Sequence, residues 1–136
     1  MNVDRLRIVK FLGHRYETFN PFIIADKLNV PIEWVDLGNN LLGKVSYFGD
    51  DPIIMLNESL HEINRRYFIC AHELAHVINH VGLDGYYVLN KHGYDKLEFE
   101  ATDFAVDLLI NMYEEDFNCL PNTFSDLQHA YGIPKQ

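Results

Sequence analysis

Residues 66–81 read RYFICAHELAHVINHV, and within them His72, Glu73 and His76 make the pattern H-E-x-x-H. Residues four apart share one face of a helix, so both imidazoles reach one ion while Glu73, one step round, points toward a water beside it. Zinc suits such a set because it accepts imidazole nitrogen and carboxylate oxygen in a tetrahedral shell and is redox-inert. A shuffled chain of this composition contains the pattern about 2% of the time, so the flanking residues have to decide. Tyr67, Phe68, Ile69, Ala71, Leu74, Ala75, Val77 and Ile78 make the stretch apolar almost all round, which predicts a buried helix. A buried Glu between two His is costly unless paired or metal-bound, and two satisfied core histidines leave that cost unexplained.

Working outward, Ser59 and Glu62 form a capping-box pattern, which predicts a long helix over residues 60–81 stopped at Gly82. Upstream, alternating or β-branched runs over residues 32–37, 44–48 and 53–56 are separated by Gly38-Asn39-Asn40 and Gly49-Asp50-Asp51-Pro52 and predict a small antiparallel sheet. Two helices precede it. Leu6, Val9, Leu12, Tyr16 and Phe19 give residues 4–19 a helical period, and residues 22–29 follow the break at Asn20-Pro21. Downstream, residues 82–95 carry three Gly and no period and predict a loop that covers the site. Residues 96–115 predict a second long helix, and residues 125–131 a last short one ended by Gly132 and Pro134.

The third metal ligand decides the kind of site. A metzincin-type His six residues past His76 is excluded, because that position is Gly82. His80 continues the spacing but lies about 12 Å along the helix axis from His72, too far to share an ion, so it reads as an outer-layer or surface residue. On the next helix Ala101, Phe104, Ala105, Leu108, Leu109 and Met112 form one apolar face. Of its acids, Glu98 falls on the edge of that face, whereas Glu100, Asp103 and Asp107 fall opposite. Glu98 is therefore the candidate ligand, its alternative being an acid that favours a helix N-terminus.

These two stretches together resemble the ImmA/IrrE metallopeptidases of bacteria and phages, whose pattern is an aromatic-rich run into H-E-x-x-H followed by E-x-x-A-N-x-F-A-x-x-L-L. The resemblance covers residues 20–131. It implies an α+β fold of the minimal gluzincin-like zinc peptidase type, a small antiparallel sheet packed on a helical core with two long metal-binding helices. It also implies Zn2+ held by His72, His76 and Glu98, with Glu73 as catalytic base. Thr102 stands where the family often has Asn, one turn beyond Glu98 and within reach of a ligating His. Ile110-Asn111 stands where Met-Pro is common. Members are linked to cleavage of helix-turn-helix repressors, so the implied partner is such a repressor and the implied role anti-repression.

Composition fits this reading. The chain has 136 residues, 48% apolar and 23% charged, which predicts one folded domain over residues 1–136. A net charge of −9 excludes a sequence-independent grip on nucleic acid and favours basic partners. Cys70 and Cys119 are too few for a disulfide scaffold, and no run is apolar enough for a membrane span or a signal segment, so the expected location is the cytoplasm. Two other functions compete. One is a repressor-binding or toxin–antitoxin module that keeps the fold without cutting; the other is a structural zinc site closed by Cys70, Cys119 or His92. Glu73 has no role in either. Tyr86, Tyr87, His92 and Tyr94 are candidates for stabilising the transition state, and the runs near residues 44–48 or 53–56 for a sheet edge that holds substrate as an added strand.

Overall fold

Asn57 organises the first half of the chain. Its buried side chain donates to the carbonyls of Gly38 and Leu41 at 2.8 and 2.9 Å, and its Oδ1 accepts from the backbone of Ser59 at 3.1 Å. One amide thus ties the connection between two strands to the start of the helical half. In the computed structural model, which describes residues 3–79, 86–88 and 96–134, these ties hold a four-stranded mixed sheet.

The strands are β1 (Ile32–Val35), β2 (Leu41–Phe48), β3 (Asp51–Asn57) and β4 (Tyr86–Val88), in the order β1-β3-β2-β4. β2 and β3 form a hairpin in which Phe48 faces Asp51, so the turn is Gly49-Asp50, with Gly49 at φ 62. β1 pairs with β3 in parallel, Ile32 opposite Ile54 and Val35 opposite Asn57. The expected all-antiparallel sheet is corrected there: Asn57 folds the β1–β2 connection over the end of β3, and β3 enters between β1 and β2 running the same way as β1. Among the described residues β2 and β3 lie inside the sheet and β1 and β4 at its edges, with β4 paired to β2 only from Leu41 to Lys44. The stretch expected to be loop throughout contributes β4, which pairs with β2 across a bulge between Leu41 and Gly43.

The helices are α1 (Val3–Tyr16), α2 (Pro21–Lys27), α3 (Arg65–Asn79), α4 (Lys96–Phe117) and α5 (Phe124–Tyr131). α2 starts as its sequence dictates, with Asn20 accepting from Phe22 N and Pro21 in the first turn. α3 starts later than the Ser59 pattern predicts. Asn57, whose side chain bonds two residues on, captures Ser59 N and makes residues 58–60 a 3-10 turn, while Glu62 turns to its neighbour His61. The predicted stop at Gly82 lies outside the described residues. α5 ends at Gly132 in the left-handed conformation, φ 66, with Thr123 and Asp126 forming a reciprocal cap at its start.

The core gathers on α3. Every residue from Phe68 to His76 is buried, and α3 packs on β2 and β3, on α2, on α5 and along α4, whose Ala101, Phe104, Ala105, Leu108, Leu109 and Met112 are buried as the apolar stripe predicts. Val9 and Leu12 of α1 and Leu127 and Tyr131 of α5 complete the same cluster. Gly132 closes it at one end, because a Cβ there would stand 2.6 Å from Arg65 Cα and 2.8 Å from Arg65 N. Gly38, at φ 84, has no atom within 4 Å of the Cβ position. We therefore expect Gly132→Ala to cost roughly 2–4 kcal/mol, backbone strain plus displacement of Arg65, and Gly38→Ala only about 1 kcal/mol. Urea unfolding of the two variants checks this, and equal losses would contradict the packing at Gly132.

Candidate metal centre

The four-residue spacing on α3 sets the two imidazoles side by side, edge to face, with ring centroids of His72 and His76 5.2 Å apart. Both are almost fully buried, at 1% and 2% exposure. Glu98, in the first turn of α4, reaches across to both. Its Oε2 lies 2.8 Å from His72 Nε2 and its Oε1 3.0 Å from His76 Nε2. The ligand-capable atoms of the three residues all lie within 4.8 Å of one another, and among the described residues no fourth His, Cys, Asp or Glu joins the group. Thr102, one turn along α4, places Oγ1 3.3 Å from His72 Nδ1, the ring nitrogen turned away from Glu98. A contact of that kind fixes the rotation of an imidazole and so aims its other nitrogen.

Glu73 sits between the histidines on the helix and is fully buried, and neither carboxylate oxygen has a hydrogen-bond partner among the described residues. It lies against β2 at Gly43. A Cβ on Gly43 would stand 2.7 Å from Ile69 Cγ2, 3.2 Å from Glu73 Cγ and 3.4 Å from Glu73 Oε2, so only glycine lets the strand come this close to the carboxylate.

Electrostatics follow from this placement. Burial, and then the nearby charge of Glu98, push the Glu73 carboxyl well above the usual carboxylate range. Burial acts on Glu98 the same way, but hydrogen bonds from His72 and His76, with their charge, outweigh it and bring Glu98 down to about 2. Burial and then Glu73 raise the Cys70 thiol, so it keeps its proton.

The donor set fits a metal ion. Four-coordinate zinc with bonds near 2.0–2.1 Å spaces its ligand atoms about 3.3 Å apart, and the observed 2.8 and 3.0 Å need only a few tenths of an ångström of opening. The orphaned carboxylate of Glu73 points the same way, since a buried anion without hydrogen bonds is costly and a neighbouring dication offsets that cost.

The residues singled out in the sequence are distributed unequally. His72, His76 and Glu98 come together, Glu73 and Thr102 stand beside them, and Glu100, Asp103 and Asp107 do not join the ligand group. Cys70 and Cys119, proposed as closing ligands, do not join it either; Cys70 is buried as a neutral thiol and Cys119 is exposed beyond the far end of α4. Tyr86 and Tyr87 fall on β4, but their side chains, like His80, His92 and Tyr94, lie outside the described residues. Gly43 is the residue that sequence reasoning missed. Its signal was a lone Gly inside the otherwise bulky strand run LLGKVSYF, a mark of a bulge or a close approach.

Residues 25–136 match the family model described as the IrrE N-terminal-like domain, a peptidase family. The chain belongs to the IrrE N-terminal-like family. Membership makes it a chain of a metallopeptidase family and agrees with the resemblance carried by the two motifs. The chain is also 28% identical, over 131 residues, to a protein named "Uncharacterized immunity region protein 2" of Bacillus phage phi105, with 94% of this chain and 82% of that protein aligned. No solved structure matches it. Among the described residues no helix is long and apolar enough to cross a membrane.

Burial of Glu73 has a measurable consequence for an IrrE-type domain of this build. In the metal-free protein the folded state holds the Glu73 proton above the ordinary carboxylate pKa of 4.5, where the unfolded chain has released it. Folding is then opposed increasingly as pH rises above that value. Glu73→Gln removes the penalty, so in the presence of a chelator the variant should melt higher than the parent at pH 7, with the gap closing toward pH 4.5. Thermal melts across that range check it; a variant that melts lower at pH 7 would contradict the placement of Glu73.

Proposed function

We propose that the chain is a zinc-dependent endopeptidase in which His72, His76 and Glu98 hold the ion and Glu73 is the general base. The observation that supports this best is the buried, unbonded carboxylate of Glu73 beside a cluster of two imidazoles and a carboxylate. Zinc in that cluster supplies Lewis acidity toward a water molecule and a peptide carbonyl. The Glu73 carboxylate, whose oxygens no described residue occupies, would take a proton from the attacking water and deliver it to the leaving amine. Glu98 and the imidazoles, pre-set by their mutual contacts and by Thr102, keep the site from reorganising during the reaction. Gly43 keeps β2 against the carboxylate without displacing it.

For substrate we propose a helix-turn-helix repressor, met in the cytoplasm and cut once in a flexible segment. Support comes from the family and from the immunity-region name of the phage relative, together with a net charge of −9 that steers basic DNA-binding partners toward the chain. A module that captures the repressor without cutting would make no use of a proton acceptor at Glu73.

Two experiments test these assignments. Glu98→Ala should lose stoichiometric zinc while Glu100→Ala keeps it, read by metal analysis of the purified proteins; equal loss in both would remove Glu98 as a ligand. Zinc-loaded protein incubated with the repressor encoded beside its gene should give one cleavage product by mass spectrometry, at a rate that falls with added salt. Glu73→Gln should retain zinc and give no product. An intact repressor that binds parent and variant equally well would favour the non-cleaving module.

A further inference from the structure

Away from the metal centre, α4, α5 and the turn between them enclose an apolar groove of about 320 Å³. Ile110 of α4 and Leu127 of α5 form its walls, and Leu120, Pro121 and Phe124 its lip. Leu120 is 56% exposed and Phe124 45%. The lip is braced: Asp126 accepts from the backbone of Asn122 and Thr123 at 3.0 and 3.2 Å, and Thr123 Oγ1 accepts from Asp126 N. Glu98 and Ile110 are twelve residues apart on one helix, about 18 Å along its axis, so the groove is separate from the metal cluster.

Charge narrows what fits there. Residues 96–136 hold eight acids, Glu98, Glu100, Asp103, Asp107, Glu114, Glu115, Asp116 and Asp126, against Lys96 and Lys135, a net −6 of the chain's −9. The cation seen to reach α4 near the groove is Lys10, bonded to Asn111 at 2.7 Å. Glu114 is exposed and stands one turn beyond Ile110 on the same face of α4. A second copy would bring this acidic segment against itself, and nucleic acid or an anionic lipid surface would be repelled for the same reason. The occupant is therefore cationic. Its shape follows from the walls: both are helices, with no strand edge to pair an extended peptide, so side chains spaced i, i+3, i+4 on a helix fill the opening best.

We propose that this groove docks the apolar face of a cationic amphipathic helix of a partner protein. The surface is independent of the peptidase chemistry, and a binding readout keeps the two claims apart. Fluorescence anisotropy of the full chain with a designed helical peptide of Leu and Lys should show saturable binding. An all-Lys peptide of equal charge, and a Leu and Glu peptide, should bind far more weakly. Leu120→Ser with Phe124→Ser should weaken the Leu and Lys peptide by at least about tenfold at an unchanged melting temperature, as loss of a central apolar anchor does. Glu114→Gln should weaken it less and flatten its salt dependence. If the double variant melts lower, Leu120→Ser alone carries the test. Equal binding of the all-Lys peptide, or an affinity unmoved by the lip substitutions, would overturn the proposal. So would self-association of the parent that the same substitutions abolish, which would assign the groove to a second copy.

Discussion

Ionisable groups in the middle of an apolar helix need compensation, and the rest of this structure follows from how they receive it. Among the described residues His72, Glu73 and His76 lie in the longest unbroken buried run, on the element that touches both the sheet and α4. Desolvating a carboxylate and two imidazoles costs several kcal/mol in the absence of partners. Glu98 compensates the imidazoles by bridging them, and a carboxylate in the first turn of α4 is positioned to do so because that helix turns its Ala- and Leu-rich face inward. Glu73 receives no such partner among the described residues. Burial without a partner costs stability at Glu73, an arrangement that fits the base role proposed for it.

The sheet contributes by getting out of the way. β2 crosses α3 at Ile69 and Glu73, and a side chain at that crossing would strike both. Gly43 removes the obstacle, and the bulge beside it lets β4 pair with β2. Strand, helix and carboxylate are thus in close contact at this crossing, so the Glu73 carboxylate is held by packing instead of by hydrogen bonds among the described residues. That leaves its lone pairs available for a proton.

Legibility in the sequence tracked the range of the interactions. Spacing on a single helix was readable, because four-residue periodicity fixes the faces of α3 and α4: His72, His76, Glu98 and Thr102 all fall where their positions imply. Helix ends set by local caps were readable at Asn20 and Gly132 but not at Ser59, where Asn57 competes for the same backbone donor from inside the sheet. Strand order was not readable. The parallel pairing of β1 with β3 depends on Asn57 bonding back to Gly38 and Leu41, a contact between residues nineteen and sixteen positions apart. Gly43 was visible only as an oddity, since what it avoids, Ile69 and Glu73, lies on another element.

Acidity divides the molecule much as chemistry does. Residues 96–136, which carry Glu98, hold a net −6 of the chain's −9, and an apolar groove lies against the same helix about 18 Å from the ligand cluster. Everything nonetheless depends on whether that cluster holds a reactive metal. The most direct measurement is anomalous X-ray diffraction at the zinc edge from crystals grown with zinc. We expect one strong peak bonded to His72 Nε2, His76 Nε2 and Glu98, with a fourth position free of protein ligands and Glu73 beside it. A peak at surface carboxylates alone, or one closed by a fourth protein side chain, would contradict it.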